Sequence, residues 1–188
     1  MKKTFKKQRQ KKLLNNKRVA ILLCDGFEEI EMTSPYEALV YVGAKVDLIA
    51  PEGKTVTGWR HDRWGKTFNV DVNLAHAKFS QYDALILPGG VINSDKLRTY
   101  KRAISVIKRF LLSTKPLAVI CHAPWSLIET KFIHGRTLTA YHSIKRDLIN
   151  AGAKWKNAKV VIDGNLITSR NPHDLPAFNK AIINALHI

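Results

Sequence analysis

The chain has 188 residues, 45% of them apolar, enough for one domain with its own core. No apolar run reaches the roughly 18–20 residues of a membrane-crossing helix. Two cysteines exclude a disulfide framework and point to a reducing compartment, the cytoplasm. The formal charge of +16 is uneven, because residues 1–18 hold nine Lys and Arg and no acid, leaving 22 basic against 15 acidic residues elsewhere.

Residues 1–17 read as a basic, solvated arm, without the apolar stretch of a secretory signal. Its charge suits a weak contact with RNA, DNA or an anionic surface, but it carries no nucleic-acid fold motif. Residues 18–188 read as a single domain. "RVAILLC" (18–24) is a short continuous apolar run and predicts a buried strand. "EMTSPYEALVYVG" (31–43) has helical spacing and a glycine stop. "KVDLIA" (45–50) predicts a second strand, residues 52–66 a turn-rich hairpin, and "TFNVDVNLA" (67–75) a half-exposed strand of period two. "YDALILPGG" (82–90) predicts a buried strand ending in a Gly-Gly turn. Residues 95–113 predict one long amphipathic helix, with Leu97, Ile104, Ile107 and Leu111 on its apolar face. "KPLAVI" predicts a strand, "APWSLIET" a helix, "TLTAY" a short strand and "SIKRDLINAG" a helix. "AKVVIDGNLITSR" reads as a hairpin on its Asp-Gly turn, and "DLPAFNKAIINALHI" as the last helix.

Strands alternating with helices predict an α/β fold, a mostly parallel central sheet with helices on both faces. In such sheets, sites form beyond the carboxyl ends of strands. "CDGFEEIE", "LPGG" and "CHAPW" each follow a predicted strand and so converge there.

Cys121 is the leading nucleophile candidate. A residue at a strand-to-helix turn projects above the sheet edge, and the first amides of the next helix favour a thiolate there. Those amides, with Gly89 and Gly90, are candidates to hold an oxyanion, as in a nucleophile elbow with Cys in place of Ser. The competing reading is an inert core thiol. His122 is a candidate base for the thiol or a surface histidine at a helix start. One of Glu28, Glu29 and Glu31 is a candidate to hydrogen-bond a thiolate; otherwise these acids only suit a helix start. Cys24 ends the first strand and is either a resolving thiol or a buried strand-end thiol. Trp125 is a candidate for the pocket wall or for the core. No spacing of His and Cys suggests a metal site, and no motif calls for a cofactor.

Together, "LLCDGFEEIEMTSPYEAL", "DALILPGG…DKLR", "AVICHAPWSLIE" and "DLINAGAKWKNAKVVIDGNLITSRNPHDLPAF" resemble the ThiJ/PfpI (DJ-type) family over about residues 20 to 180. The resemblance implies a flavodoxin-like three-layer sandwich, related to class I glutamine amidotransferase domains, with a cysteine on an elbow. It implies Cys121 as nucleophile, His122 as the PfpI-type catalytic histidine and Glu31 as the carboxyl bonded to the cysteine. Asp95 stands where PfpI-type peptidases place a third-member Glu from a neighbouring subunit. Here it is a shorter acid after a turn one residue longer, which puts the peptidase triad in doubt. Ala123 stands where many members have Gly, and His142 where relatives often have Pro. His173 lies on a loop that the family brings near the site, so it is a candidate substrate contact. The resemblance also implies a dimer or larger assembly with the site near an interface.

The function expected is a cysteine-nucleophile stress-response enzyme acting on reactive carbonyls or glycated groups, or on amide and peptide bonds as PfpI-type peptidases do. Small carbonyls are favoured, because aldehydes need no leaving amine protonated by a complete triad. The alternatives are a redox-sensing stress protein or holdase using the same cysteine, and a nucleic-acid-associated role through the arm.

Overall fold

Continuous apolar runs become the strands of one sheet. The computed structural model describes residues 13–187. In chain order the elements are β1 (Arg18–Leu22), β2 (Phe27–Glu28), α1 (Glu29–Tyr41), β3 (Lys45–Ala50), β4 (Thr55–Arg60), β5 (Arg63–Asn69), β6 (Val72–Asn73), β7 (Ala84–Leu87), α2 (Val91–Arg98) and α3 (Lys101–Leu111). There follow β8 (Leu117–Ile120), α4 (Trp125–Glu129), β9 (Thr137–Leu138), α5 (Lys145–Asn150), β10 (Lys154–Trp155), β11 (Val160–Asp163), β12 (Leu166–Ser169) and α6 (Leu175–His187).

The central sheet has the order β11-β12-β8-β7-β1-β3-β6. All its pairings are parallel except the β11–β12 hairpin. Burial on both faces explains why these strands read as unbroken apolar runs. Val19, Ile21, Ile86, Ala118 and Ile120 pack on one face with Met32 and Leu39 of α1 and Phe178 and Ile182 of α6. Ala20, Leu22, Leu85, Leu87 and Val119 pack on the other face with Leu97 of α2, Ile107 and Phe110 of α3 and Leu127 of α4. The first strand, β1, lies inside the sheet; the chain builds outward from it through β3 and returns to its other side at β7. The strand order therefore reverses between β1 and β7, the point where open α/β sheets form their crevice.

Three sequence expectations change in the structure. The helix expected over 95–113 is two helices, broken at Thr99 and Tyr100. The Thr99 hydroxyl bonds the Lys96 carbonyl at 2.8 Å, while Tyr100 takes an extended backbone (φ −83°, ψ 103°) and its hydroxyl bonds Glu52. The strand expected over 67–75 is also divided, into the end of β5 and the two-residue β6. Asp71 turns the chain between sheets by accepting the Leu48 amide at 2.7 Å. Of the arm, residues 1–12 lie outside the described residues. Within residues 13–17, Leu14 is packed: it is 1% exposed, and its amide bonds the Val42 carbonyl at 2.9 Å. The packed part thus begins before residue 18. Among the described residues no helix is long and apolar enough to cross a membrane.

Candidate active site

Cys121 follows β8 directly, and its backbone is left-handed, with φ 62°. Such a conformation costs a non-glycine residue about 1–3 kcal/mol and persists only where the surroundings impose it. Here they do. The Cys121 amide donates to the Ser169 carbonyl at the end of β12 (3.1 Å), and the Tyr141 amide donates to the Cys121 carbonyl (2.9 Å). The side chain is thereby turned toward the ends of β1 and β7.

Gly89 lies under the sulfur. A Cβ there would stand 2.5 Å from the Cys121 Cβ and 2.5 Å from Glu31 Oε2, so only glycine lets the thiol and the carboxyl meet. Gly90 starts α2 with φ 89°. The buried Asn93 fixes this turn. Its Nδ2 donates to the carbonyls of Pro88 (2.8 Å) and Gly89 (3.0 Å), and its Oδ1 accepts the Cys24 amide (2.7 Å).

Glu31, in the first turn of α1, is fully buried. Its Oε2 accepts the Gly89 amide at 2.9 Å. Its Oε1 has no hydrogen-bond partner among the described residues. Burial pushes its pKa up from 4.5 to about 8, against the pull of the Gly89 amide, so the carboxyl holds a proton at neutral pH. Burial, then a charged Glu31, pushes the Cys121 thiol well above its ordinary value; the amides of Gly90 and His122 pull it down. Thiol and carboxyl therefore titrate as a pair. With the proton on Glu31, the repulsion from that carboxylate is gone, and the two amides are opposed by burial.

His122 Nδ1 lies 3.2 Å from Cys121 Sγ, and Nε2 lies 3.0 Å from Ser143 Oγ. The ring stacks on Tyr141 (centroids 4.8 Å apart, planes at 30°) and meets Trp125 nearly edge-on at 5.6 Å. Burial, then the nearby His142, lowers its pKa, so the ring is neutral at pH 7.

The structure brings Cys121, His122, Glu31 and Gly90 together and corrects the expectation for Gly89; Asp95 is expected from a neighbouring subunit and His173 as a contact to substrate. Gly89 does not offer an oxyanion donor, because Glu31 takes its amide. The helix after the elbow, α4, has only five residues, so the amides beside the sulfur are those of His122 and Gly90. Asp95 is exposed on α2 and makes no bond to His122 among the described residues. His173 is exposed; its amide bonds Asn171 Oδ1 at 3.0 Å, and nothing joins its ring to Cys121. Cys24 packs against the opposite sheet face from Cys121, which gives it no access as a resolving thiol. Ser143, Tyr141 and Asn93 were not singled out in the sequence. Each follows a turn that carries no periodic signal.

A family model, described as DJ-1/PfpI family, matches residues 17–185. The chain belongs to the DJ-1/PfpI family. Within it, the chain is 42% identical over 174 residues to a Bacillus subtilis protein named "Putative cysteine protease YraA", covering 91% of this chain and 99% of that one. It is also 42% identical over 172 residues to an uncharacterised Staphylococcus aureus protein, covering 90% and 98%. Among solved structures, a two-domain Anabaena variabilis protein with DJ-1/ThiJ/PfpI-like and ferritin-like domains matches with a TM-score of 0.85 at 33% identity. That match covers 90% of this chain and 48% of the other, so this chain spans about half of that two-domain protein. Drosophila melanogaster DJ-1beta matches with a TM-score of 0.83 at 29% identity, covering 91% and 90%. The DJ-1/PfpI fold agrees with the parallel sheet and the two helical layers described above.

Proposed function

We propose that the chain is a cysteine-dependent enzyme that attacks carbonyl carbon, with small reactive carbonyls or glycated groups as its substrates. The observation that carries this reading is the convergence on one left-handed cysteine of a buried carboxyl, a histidine nitrogen at 3.2 Å and two backbone amides. Cys121 Sγ adds to the carbonyl carbon, and the π pair of the C=O bond moves to its oxygen. The thiol proton passes to His122 Nδ1. The Gly90 amide, which faces the sulfur, is the donor we assign to the developing charge. The choice of small carbonyls over amides rests on His122: no carboxylate bonds it among the described residues, and aldehydes have no amine to expel. An amidase or peptidase reading draws its support from the name of the B. subtilis relative. It requires a second copy of the chain to supply Asp95. Ile30, Val91 and Ile92, exposed at the starts of α1 and α2, suit such a contact.

The test compares methylglyoxal consumption and cleavage of fluorogenic peptides by the wild type and Cys121→Ala. Aldehyde turnover lost in the variant supports the proposal. Equal rates in both proteins overturn it, as does Cys121-dependent peptide cleavage without aldehyde turnover. Reversible Cys121 oxidation at low peroxide, with no turnover of either substrate, identifies a thiol sensor instead.

A further inference from the structure

We infer that Ser143 is the positioning residue of His122: its hydroxyl fixes the ring's tautomer and orientation, and so directs proton transfer at Cys121. The inference rests on the carbonyl chemistry proposed above. Three observations lead to it.

First, the imidazole bridges two groups. Nδ1 faces Cys121 Sγ at 3.2 Å and Nε2 faces Ser143 Oγ at 3.0 Å. A ring flip would place carbon against both, so only one orientation satisfies the two contacts. Second, Ser143 is exposed and its hydroxyl is committed to no group but His122 among the described residues. It lies in a tight turn, His142–Ile144, anchored by the buried Ile144. Third, no acid bonds Nε2 among the described residues. The titratable groups around the ring are Cys121, with Glu31 behind it, together with Tyr141 and His142.

A hydroxyl and a carboxylate do different work at this nitrogen. The protonated thiol donates to Nδ1, so Nε2–H donates to the Ser143 hydroxyl, which brings no charge to stabilise an imidazolium. His122 then works as a shuttle that starts and ends neutral. As the S–C bond forms and the C=O pair moves to oxygen, the Sγ proton goes to Nδ1. Nδ1–H then returns that proton to the new alkoxide. Nothing in this cycle needs a standing thiolate–imidazolium pair, which fits an aldehyde better than an amide.

The experiment uses the full chain with Ser143→Ala, Ser143→Thr and Ser143→Asp. Nitrogen-15 NMR of the imidazole reads the tautomer and pKa of His122 without any substrate. The wild type and Ser143→Thr should show the Nε2–H tautomer, and Ser143→Ala a mixture. With methylglyoxal, Ser143→Ala should lose kcat about tenfold or more at unchanged KM, and Ser143→Thr should restore it. Ser143→Asp should raise the His122 pKa and move the acid limb of the pH–rate profile upward. A Ser143→Ala protein with the wild-type tautomer and kcat overturns the inference. Because the tautomer is read without turnover, a failure here is distinct from Cys121-independent activity, which would instead overturn the proposed function.

Discussion

The two cysteines make a natural comparison. Each stands at the carboxyl end of a neighbouring part of the same parallel sheet, Cys24 after β1 and Cys121 after β8. Both are buried, 3% and 7% exposed, and burial raises the pKa of both. Cys24 has its amide tied to Asn93 at 2.7 Å, and its thiol, pushed up to about 12 chiefly by burial, has Lys96, Asp25 and Glu52 nearby but no histidine or carboxyl bonded to it among the described residues. Cys121 instead has a left-handed backbone, a histidine nitrogen at 3.2 Å and a carboxyl behind it. Burial and strand position therefore do not mark a reactive thiol. What marks Cys121 is a set of groups that can take or give its proton.

The sharpest way to break this contrast is to truncate each cysteine. Cys121→Ala should lower methylglyoxal turnover by about a thousandfold or more, whereas Cys24→Ala should leave it within about twofold. Equal losses would mean that the two thiols share one function. Next in size is Gly89→Ala, whose new Cβ would stand 2.5 Å from both Cys121 and Glu31. It should lower stability by about 1–3 kcal/mol, read as a drop in the urea midpoint.

A smaller effect separates the two sites by pH. Glu31 titrates at 4.5 in its ordinary state and at about 8 when buried. Between those values the folded chain binds a proton that the unfolded chain does not. Its contribution to stability is thus full below 4.5 and is lost as pH rises through about 8. Cys24, raised from 9.0 to about 12, has the same sign but acts only in that alkaline window. Urea midpoints between pH 5 and 9 should therefore fall for the wild type and stay flatter for Glu31→Gln. A Glu31→Gln slope as steep as the wild type's would return Glu31 to an ordinary carboxylate. The smallest effect belongs to His173→Ala: an exposed ring without a bond to the site should change stability by no more than about 0.5 kcal/mol and leave turnover unaltered.

Much of the fold was legible because buried parallel strands leave unbroken apolar runs, as in "VAILL" and "LAVI". Cys121 was legible for a related reason: it follows a strand directly, and strand ends in this topology share one edge; Glu31, one of three neighbouring acids, was picked out only by the family resemblance. The break at Thr99–Tyr100 was hidden, since it depends on a hydroxyl choosing the Lys96 carbonyl and on a contact with distant Glu52. The three-stranded sheet of β2, β4 and β5 was only half visible, because β2 is two residues long and exists through its pairing with Gly58 and Trp59. Ser143 lies 21 residues from His122 in sequence. No local pattern connects them; the loop before α5 does so in space. Asp95, expected to act from a neighbouring subunit, is exposed on α2 of its own chain.

The φ of 62° at Cys121 has a last consequence, for how such a protein can change. A glycine at residue 121 would suit the backbone better than the cysteine does. The fold thus carries its proposed nucleophile against its own preference, and substitutions that relax the elbow should yield a more robust protein with less of the proposed chemistry. Attempts to harden this scaffold by consensus or computation would tend to erase that residue first. They would have to hold position 121 fixed and seek their gains elsewhere, in the α3 and α6 faces of the core.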